Sequence, residues 1–144
     1  MIGETYEFTD VENGREFIFI SVGKNGKILK QVVFEEISIG IYNLGFGDRI
    51  DGQIEDSVIS NNNDLLKIMN TVGAIIYDFF DLNPTCSIEI TPVDEKRARL
   101  YHTIFKRRIQ EINRIFVLEG YDSSYQWSEF KVGMSYQRFK LKKK

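Results

Sequence analysis

Between positions 94 and 114 the chain places Lys96, Arg97, Arg99, Lys106, Arg107, Arg108 and Arg114. On a helix, positions 96, 99, 103, 106, 110 and 114 step by three and four, with 107 adjoining 106. Lys96, Arg99, Lys106, Arg107 and Arg114 would then share one face, with Arg97 and Arg108 beside it. The planar guanidinium fork of arginine grips phosphate oxygens two at a time. Such a stripe, continued by the basic end Arg138-Phe139-Lys140-Leu141-Lys142-Lys143-Lys144 and with Trp127 nearby, suits nucleic acid through phosphate contacts and base stacking. The competing reading is a solvated helix face that balances an acidic first half. Arg97 and Arg99 cannot face the same way, because two residues turn a helix by about 200°. Arg99 is expected on the stripe, and Arg97 toward Tyr101 and Ile104 with a carboxylate partner.

The other reactive residue types form weaker constellations. Asp48, Asp51, Glu55, Asp56 and Asp64 offer the oxygen ligands that Mg²⁺ or Ca²⁺ prefer. The calcium-loop pattern D-x-[DN]-x-[DN]-G is missing and no histidine is close, so the segment reads as a solvated acidic loop with no metal. Asn61-Asn62-Asn63-Asp64 reads as a helix N-cap rather than an anion site, since Asp64 brings its own negative charge. His102, the single histidine, sits beside Tyr101 and Phe105 and lines the edge of a core. Neither G-x-S-x-G nor a Cys-His signature accompanies it, and Cys86 lies among strand residues. Gly45-x-Gly47 is too short for a dinucleotide fingerprint, so turn geometry explains it and no cofactor is expected.

Elements must hold these residues. Arg15–Val22 and Lys27–Phe34 are rich in β-branched and aromatic residues, and Gly23-Lys24-Asn25-Gly26 joins them. Asn-Gly there predicts a type I′ hairpin, which needs positive φ at both central residues. Ile37–Leu44 alternates at period two, and Tyr6–Phe8 supplies a short first strand ahead of Asn13-Gly14. Residues 48–63 read as an exposed loop with room for one short strand. Apolar residues at 65, 68, 69, 72, 75, 76, 79 and 80 then predict a helix stopped by Asn83-Pro84. Cys86–Thr91 alternates as a strand. Asp94 caps a second helix running to about Arg114, with Ala98, Tyr101, Ile104, Phe105, Ile109 and Ile112 inward. Ile115–Leu118 and Tyr125–Val132 are extended around a turn at 120–124, and residues 138–144 form a frayed basic tail.

The predicted architecture is α+β: a mainly antiparallel sheet beginning as an N-terminal meander, with two main helices packed on it. A chain of 144 residues fits one domain spanning 1–144. Its 42% hydrophobic and 28% charged residues are ordinary for a globular protein and argue against disorder. One cysteine permits no intramolecular disulfide. No stretch approaches the apolar length of a membrane span, and residues 1–7 lack the regions of a signal peptide, so no membrane partner and a cytoplasmic location are expected. Charge is uneven. Residues 1–93 carry 6 Lys+Arg against 15 Asp+Glu, whereas residues 94–144 carry 13 against 6. That asymmetry hints at a polyanionic partner.

Three segments carry a likeness: Ile41-Tyr42-Asn43-Leu44-Gly45-Phe46-Gly47-Asp48, Ser60-Asn61-Asn62-Asn63-Asp64 and Arg97-Ala98-Arg99-Leu100-Tyr101. Together they resemble an uncharacterised family of short bacterial proteins classed as a domain of unknown function, from about Tyr6 to Phe139. The resemblance implies no activity. It marks Asn43, Asp48, Asn62 and Asp64 as signature positions. Many relatives carry a Gly-Ser-Thr turn before the second helix, where this chain has Thr91-Pro92-Val93-Asp94, so the resemblance does not extend to a ligand held by that turn's hydroxyls.

The sequence therefore favours a non-enzymatic binding module for nucleic acid or a phosphorylated ligand, using Arg97, Arg99, Lys106, Arg107 and Arg114. The alternative is a small enzyme acting on a phosphate-containing substrate with the acidic loop and the arginines. Neither a catalytic residue nor an oligomeric state is legible. The structural expectation is sharper: Ile68, Val72, Ile75 and Phe79 occupy the centre of the first helix's apolar stripe and must be buried. Phe79→Ala should cost about 3–5 kcal/mol; chemical denaturation measures it, and an unchanged midpoint would overturn the helix assignment.

Overall fold

The computed structural model describes residues 3–50, 53–55 and 62–144. Its elements run β1 (Phe8–Asp10), β2 (Glu16–Gly23), β3 (Gly26–Ser38), β4 (Ile41–Ile50), β5 (Gln53–Glu55), α1 (Leu65–Leu82), β6 (Ser87–Ile90), α2 (Glu95–Arg107), α3 (Ile109–Ile115), β7 (Phe116–Tyr121), β8 (Trp127–Glu129) and β9 (Arg138–Lys143). The fold is α+β with mostly antiparallel strand pairing, and β4–β6 is a parallel pair. By packing, the chain divides into two compact units. Unit one holds the chain up to Glu35 together with Gly45–Pro84, and unit two holds Glu36–Leu44 together with Thr85–Lys144.

In unit one the strand order is β1-β2-β3-β4, with β5 on β4. Turn chemistry sets the register. Asn13 and Gly14 both take positive φ, +46° and +80°, and Arg15 N–H donates to the Glu12 carbonyl. That is the I′ geometry, and it falls here rather than at Asn25-Gly26. In the β2–β3 hairpin Gly23 pairs with Gly26 across Lys24-Asn25, and positive φ occurs at Gly26 but not Asn25. Strand alternation places Phe17, Phe19 and Ser21 on one face, opposite Val32, Lys30 and Ile28. Helix α1 packs there, its Phe79 ring stacked on Phe34 at 4.3 Å. Ile68, Val72, Ile75 and Phe79 are all buried, as the stripe requires. Each contributes roughly 1.5–3 kcal/mol through apolar burial.

Unit two orders its strands β4-β6-β9-β7-β8. Helix α2 covers one sheet face, with Phe105 5.1 Å and Tyr101 6.3 Å from Phe139 between ring centroids. Ile88, Ile90, Phe116, Leu118, Phe130, Phe139 and Leu141 complete this core.

Four expectations are corrected. Residues 138–144 do not fray: Arg138–Lys143 is a strand between β6 and β7, because Phe139 and Leu141 alternate into the core. Among the described residues there are three helices rather than two main ones. The second predicted helix breaks at Arg108, which leaves the helical region at φ −119°, ψ 17° without any proline or glycine. Asp48 sits in β4, not in an exposed loop, since β4 continues to Ile50 and β5 returns against it. Ile37–Leu44 is not one strand, for β3 ends at Ser38 and β4 begins after Gly40 at φ +73°.

Two glycines make opposite predictions about stability. A Cβ on Gly23 would be driven into the backbone carbonyl of Asn62, whereas one on Gly73, inside α1, meets open space. Gly73→Ala should therefore stabilise by about 0.5–1 kcal/mol through helix propensity. Gly23→Ala should destabilise and loosen the β2–β3 hairpin. Urea midpoints of the two variants moving in the same direction would contradict this geometry.

Candidate nucleic-acid interface

Helix α2 starts where the sequence says it must. Asp94 is extended at φ −153°, and its carboxylate accepts from the Arg97 N–H at 2.9 Å. The Arg97 guanidinium closes onto the second carboxylate oxygen. This backbone hydrogen bond, aided by the nearby cations, holds the Asp94 carboxyl below its ordinary pKa. Arg97 and Arg99 do diverge: their side chains are 15% and 67% exposed. Arg99 meets Glu95 at 3.0 Å, an exposed pair worth only a few tenths of a kcal/mol in general.

The outer face carries Lys96, Arg99, Thr103, Lys106 and Arg107 on α2, and Gln110 and Arg114 on α3, all exposed. Lys106 and Arg107 stand in the last turn of α2, where cations also offset the negative end of the helix dipole. Arg108, partly buried, lies 3.9 Å from Glu111. The basic end does not continue this stripe. Because Phe139 faces α2, Arg138, Lys140 and Lys142 project from the opposite sheet face.

That second face was missed. Register places Arg138 beside Tyr121, and Tyr121 beside Trp127. The Arg138 guanidinium lies 5.2 Å from the Tyr121 centroid and 5.1 Å from Trp127, while Lys140 Nζ lies 4.4 Å from Trp127. Arg138 also pairs with Glu89, which β4's Asn43 neighbours by register. The period-two alternation of residues 138–142 was the available signal.

In unit one the signature residues hold structure together. Lys30 and Asp48 form a buried ion pair, with both side chains 5% exposed. Asp64 is at the N-cap of α1, yet its side chain caps nothing. Instead one carboxylate oxygen accepts from Tyr6 Oη at 2.5 Å and from Ser21 Oγ at 2.6 Å. Burial, and then the Asp64 carboxylate, push the Tyr6 phenol up. Asn62 is fully buried in the hairpin. Its amide donates to Ser21 Oγ at 3.0 Å and the Gly26 carbonyl at 2.8 Å, and its side-chain oxygen accepts from Asn25 N–H at 2.6 Å. The expected solvated acidic loop is thus corrected at Asp48, and the expected capping role at Asp64. Asn61, Asp51, Asp56 and the side chain of Glu55 lie outside the described residues.

His102 belongs to the aromatic core of unit two. Its ring is 4.9 Å from Phe130 and 6.1 Å from Tyr136, and its buried Nδ1 has no hydrogen-bond partner among the described residues. Tyr136 in turn packs where only a glycine fits, against Gly120. Burial, and then the charge of Lys106, lower the His102 pKa. Cys86 is a half-buried free thiol just before β6. Among the described residues, no helix is long and apolar enough to cross a membrane.

Fold and site together define an α+β protein with a basic helix face and an aromatic–cationic sheet face. The chain belongs to a family of unknown function, DUF6934, whose model matches residues 3–144. Neither the curated proteins nor the solved structures contain a match.

A histidine with a lowered folded pKa binds its proton more weakly in the native chain than in the unfolded one. Its contribution is therefore level above about pH 6.5 and is lost as pH falls from there toward the folded pKa. His102→Leu should remove that acid loss. Denaturation at pH 7.5 and pH 5.5 should show the parent losing more stability than the variant; equal losses would contradict the buried, neutral imidazole.

Proposed function

We propose that this protein is a non-enzymatic binding module that engages the phosphates of nucleic acid through the outer face of α2. The observation that carries the proposal is the run of exposed cations Lys96, Arg99, Lys106 and Arg107, opposed on that helix only by Glu95. Arg97 serves the helix N-cap, so it supports the surface rather than contacting ligand. Arg114, exposed on α3, extends the same surface. The alternative, an enzyme acting on a phosphate-containing substrate, needs Asp48 and Asp64 to be available. Asp48 is instead neutralised by Lys30, and Asp64 is engaged by Tyr6 and Ser21.

Binding through phosphates releases counterions, so affinity for single-stranded DNA should fall with salt at a log–log slope of about −0.7 per phosphate contacted. Arg99→Gln/Lys106→Gln/Arg107→Gln should make that slope shallower by about two while circular dichroism stays unchanged. A parent that binds DNA no better than this variant would sink the reading. Binding confined to a phosphorylated peptide would redirect it to a protein partner.

A further inference from the structure

The sheet face opposite α2 carries features that the helix does not explain. Tyr125, in the turn between β7 and β8, takes a left-handed φ of +60° and is 76% exposed. A bulky residue in that region is strained. The turn is nevertheless tightly specified. Asp122 accepts from the Ser124 N–H at 2.9 Å and from Ser124 Oγ at 2.6 Å, and Tyr125 N–H donates to the Asp122 carbonyl at 3.0 Å. The ring is held outward at the end of an aromatic series, 6.5 Å from Tyr121, which is itself 5.1 Å from Trp127.

Cationic head groups gather at the same end. Arg138 and Lys140 both converge on the Trp127 ring. Register puts Glu89 and Glu119 beside Lys140, yet the Lys140 ammonium lies over the indole. Glu89 is occupied by Arg138. Glu119 and Glu129 pair across β7 and β8 on this face, so an anionic strand is kept to the β9 side, along Lys140 and Lys142. A projecting π-face beside the half-buried cations Arg138 and Lys140 and the exposed Lys142 matches a ligand that repeats a planar ring and an anion. That ligand is an unpaired nucleotide strand, whose bases stack on aromatic rings while its phosphates follow cations.

We infer that this face of unit two, built from Tyr125, Trp127, Lys140 and Lys142, is a binding site for single-stranded nucleic acid, separate from the helix surface. The inference shares its ligand class with the proposed function but rests on different residues. Tyr125 supplies the stacking ring, Lys140 and Lys142 take the phosphates, and Arg138 positions Trp127. A duplex buries its base faces, so this site discriminates single strands from duplexes, whereas the helix does not.

Trp127 is the sole tryptophan, which makes its fluorescence a local readout. A fluorescein-labelled oligothymidylate and a duplex of equal length are titrated into the full chain by anisotropy, and unlabelled strands are followed by Trp127 emission. The expected result is tighter binding of the single strand, accompanied by saturable quenching of Trp127. Tyr125→Ala should weaken single-strand binding about ten-fold, the scale of one base stacked on one ring, and leave duplex binding unchanged. Tyr125→Phe should retain it. The Arg99/Lys106/Arg107 variant should weaken both ligands yet keep the quenching. Equal affinity of the parent for both ligands, or binding without any change in Trp127 emission, overturns the sheet-face site and leaves the helix reading standing. Unchanged affinity of the helix variant for both ligands, with the quenching kept, would do the reverse. Absence of all binding overturns both.

Discussion

Unit one depends on where the Asp64 carboxylate spends its acceptor capacity. A carboxylate at a helix N-cap ordinarily turns forward to the first-turn amides. Here it turns back, accepting hydrogen bonds from the hydroxyls of Tyr6 and Ser21. That choice ties three distant points of the chain together: the lead-in to β1, the middle of β2 and the entry to α1. Asn62, two residues earlier, completes the tie by satisfying three groups of the β2–β3 hairpin. Buried polar groups of this kind cost stability if left unmet, and so they fix one arrangement over its neighbours. The helix can then lay its apolar stripe on the sheet with Phe79 stacked on Phe34.

The parts of this architecture that follow from periodicity were legible in the sequence. Helix α1 was visible because eight apolar positions step at helical spacing, and the Asp94 cap because an acidic residue precedes a helical run. The exposed stripe on α2 was visible for the same reason. What stayed hidden depended on contacts far apart in the chain. Nothing local says that Asp64 prefers Tyr6 to its own helix, or that Asp48 will be neutralised by Lys30. The break at Arg108 has no propensity signature, so packing decides it. The basic end reads as a tail because its lysines outnumber Phe139 and Leu141, whose alternation marks a buried strand.

The site residues were legible by type and only partly by place. Arg97 and Arg99 diverge as helical geometry demands, and the stripe from Lys96 to Arg107 is exposed. The sheet face needed the register of β7, β8 and β9, which no single segment encodes. Charge asymmetry between the two parts of the sequence thus has two structural outlets in unit two. One is a helix surface with little opposing acid, and the other is a set of cations laid over aromatic rings.

The way β4 is shared between the units makes unit two a non-local assembly. The chain leaves unit two at Leu44, halfway along that strand, and returns to it only at Thr85. The parallel pairing of Ile41–Asn43 with Ser87–Glu89 therefore closes a long crossover that contains α1. Such a contact spans a long stretch of sequence and pays its loop entropy before any reward, which makes it a natural slow step. It also means that neither unit is a continuous piece of polypeptide. No single cut separates them intact, and an insertion or deletion within residues 45–84 changes the span that unit two must bridge.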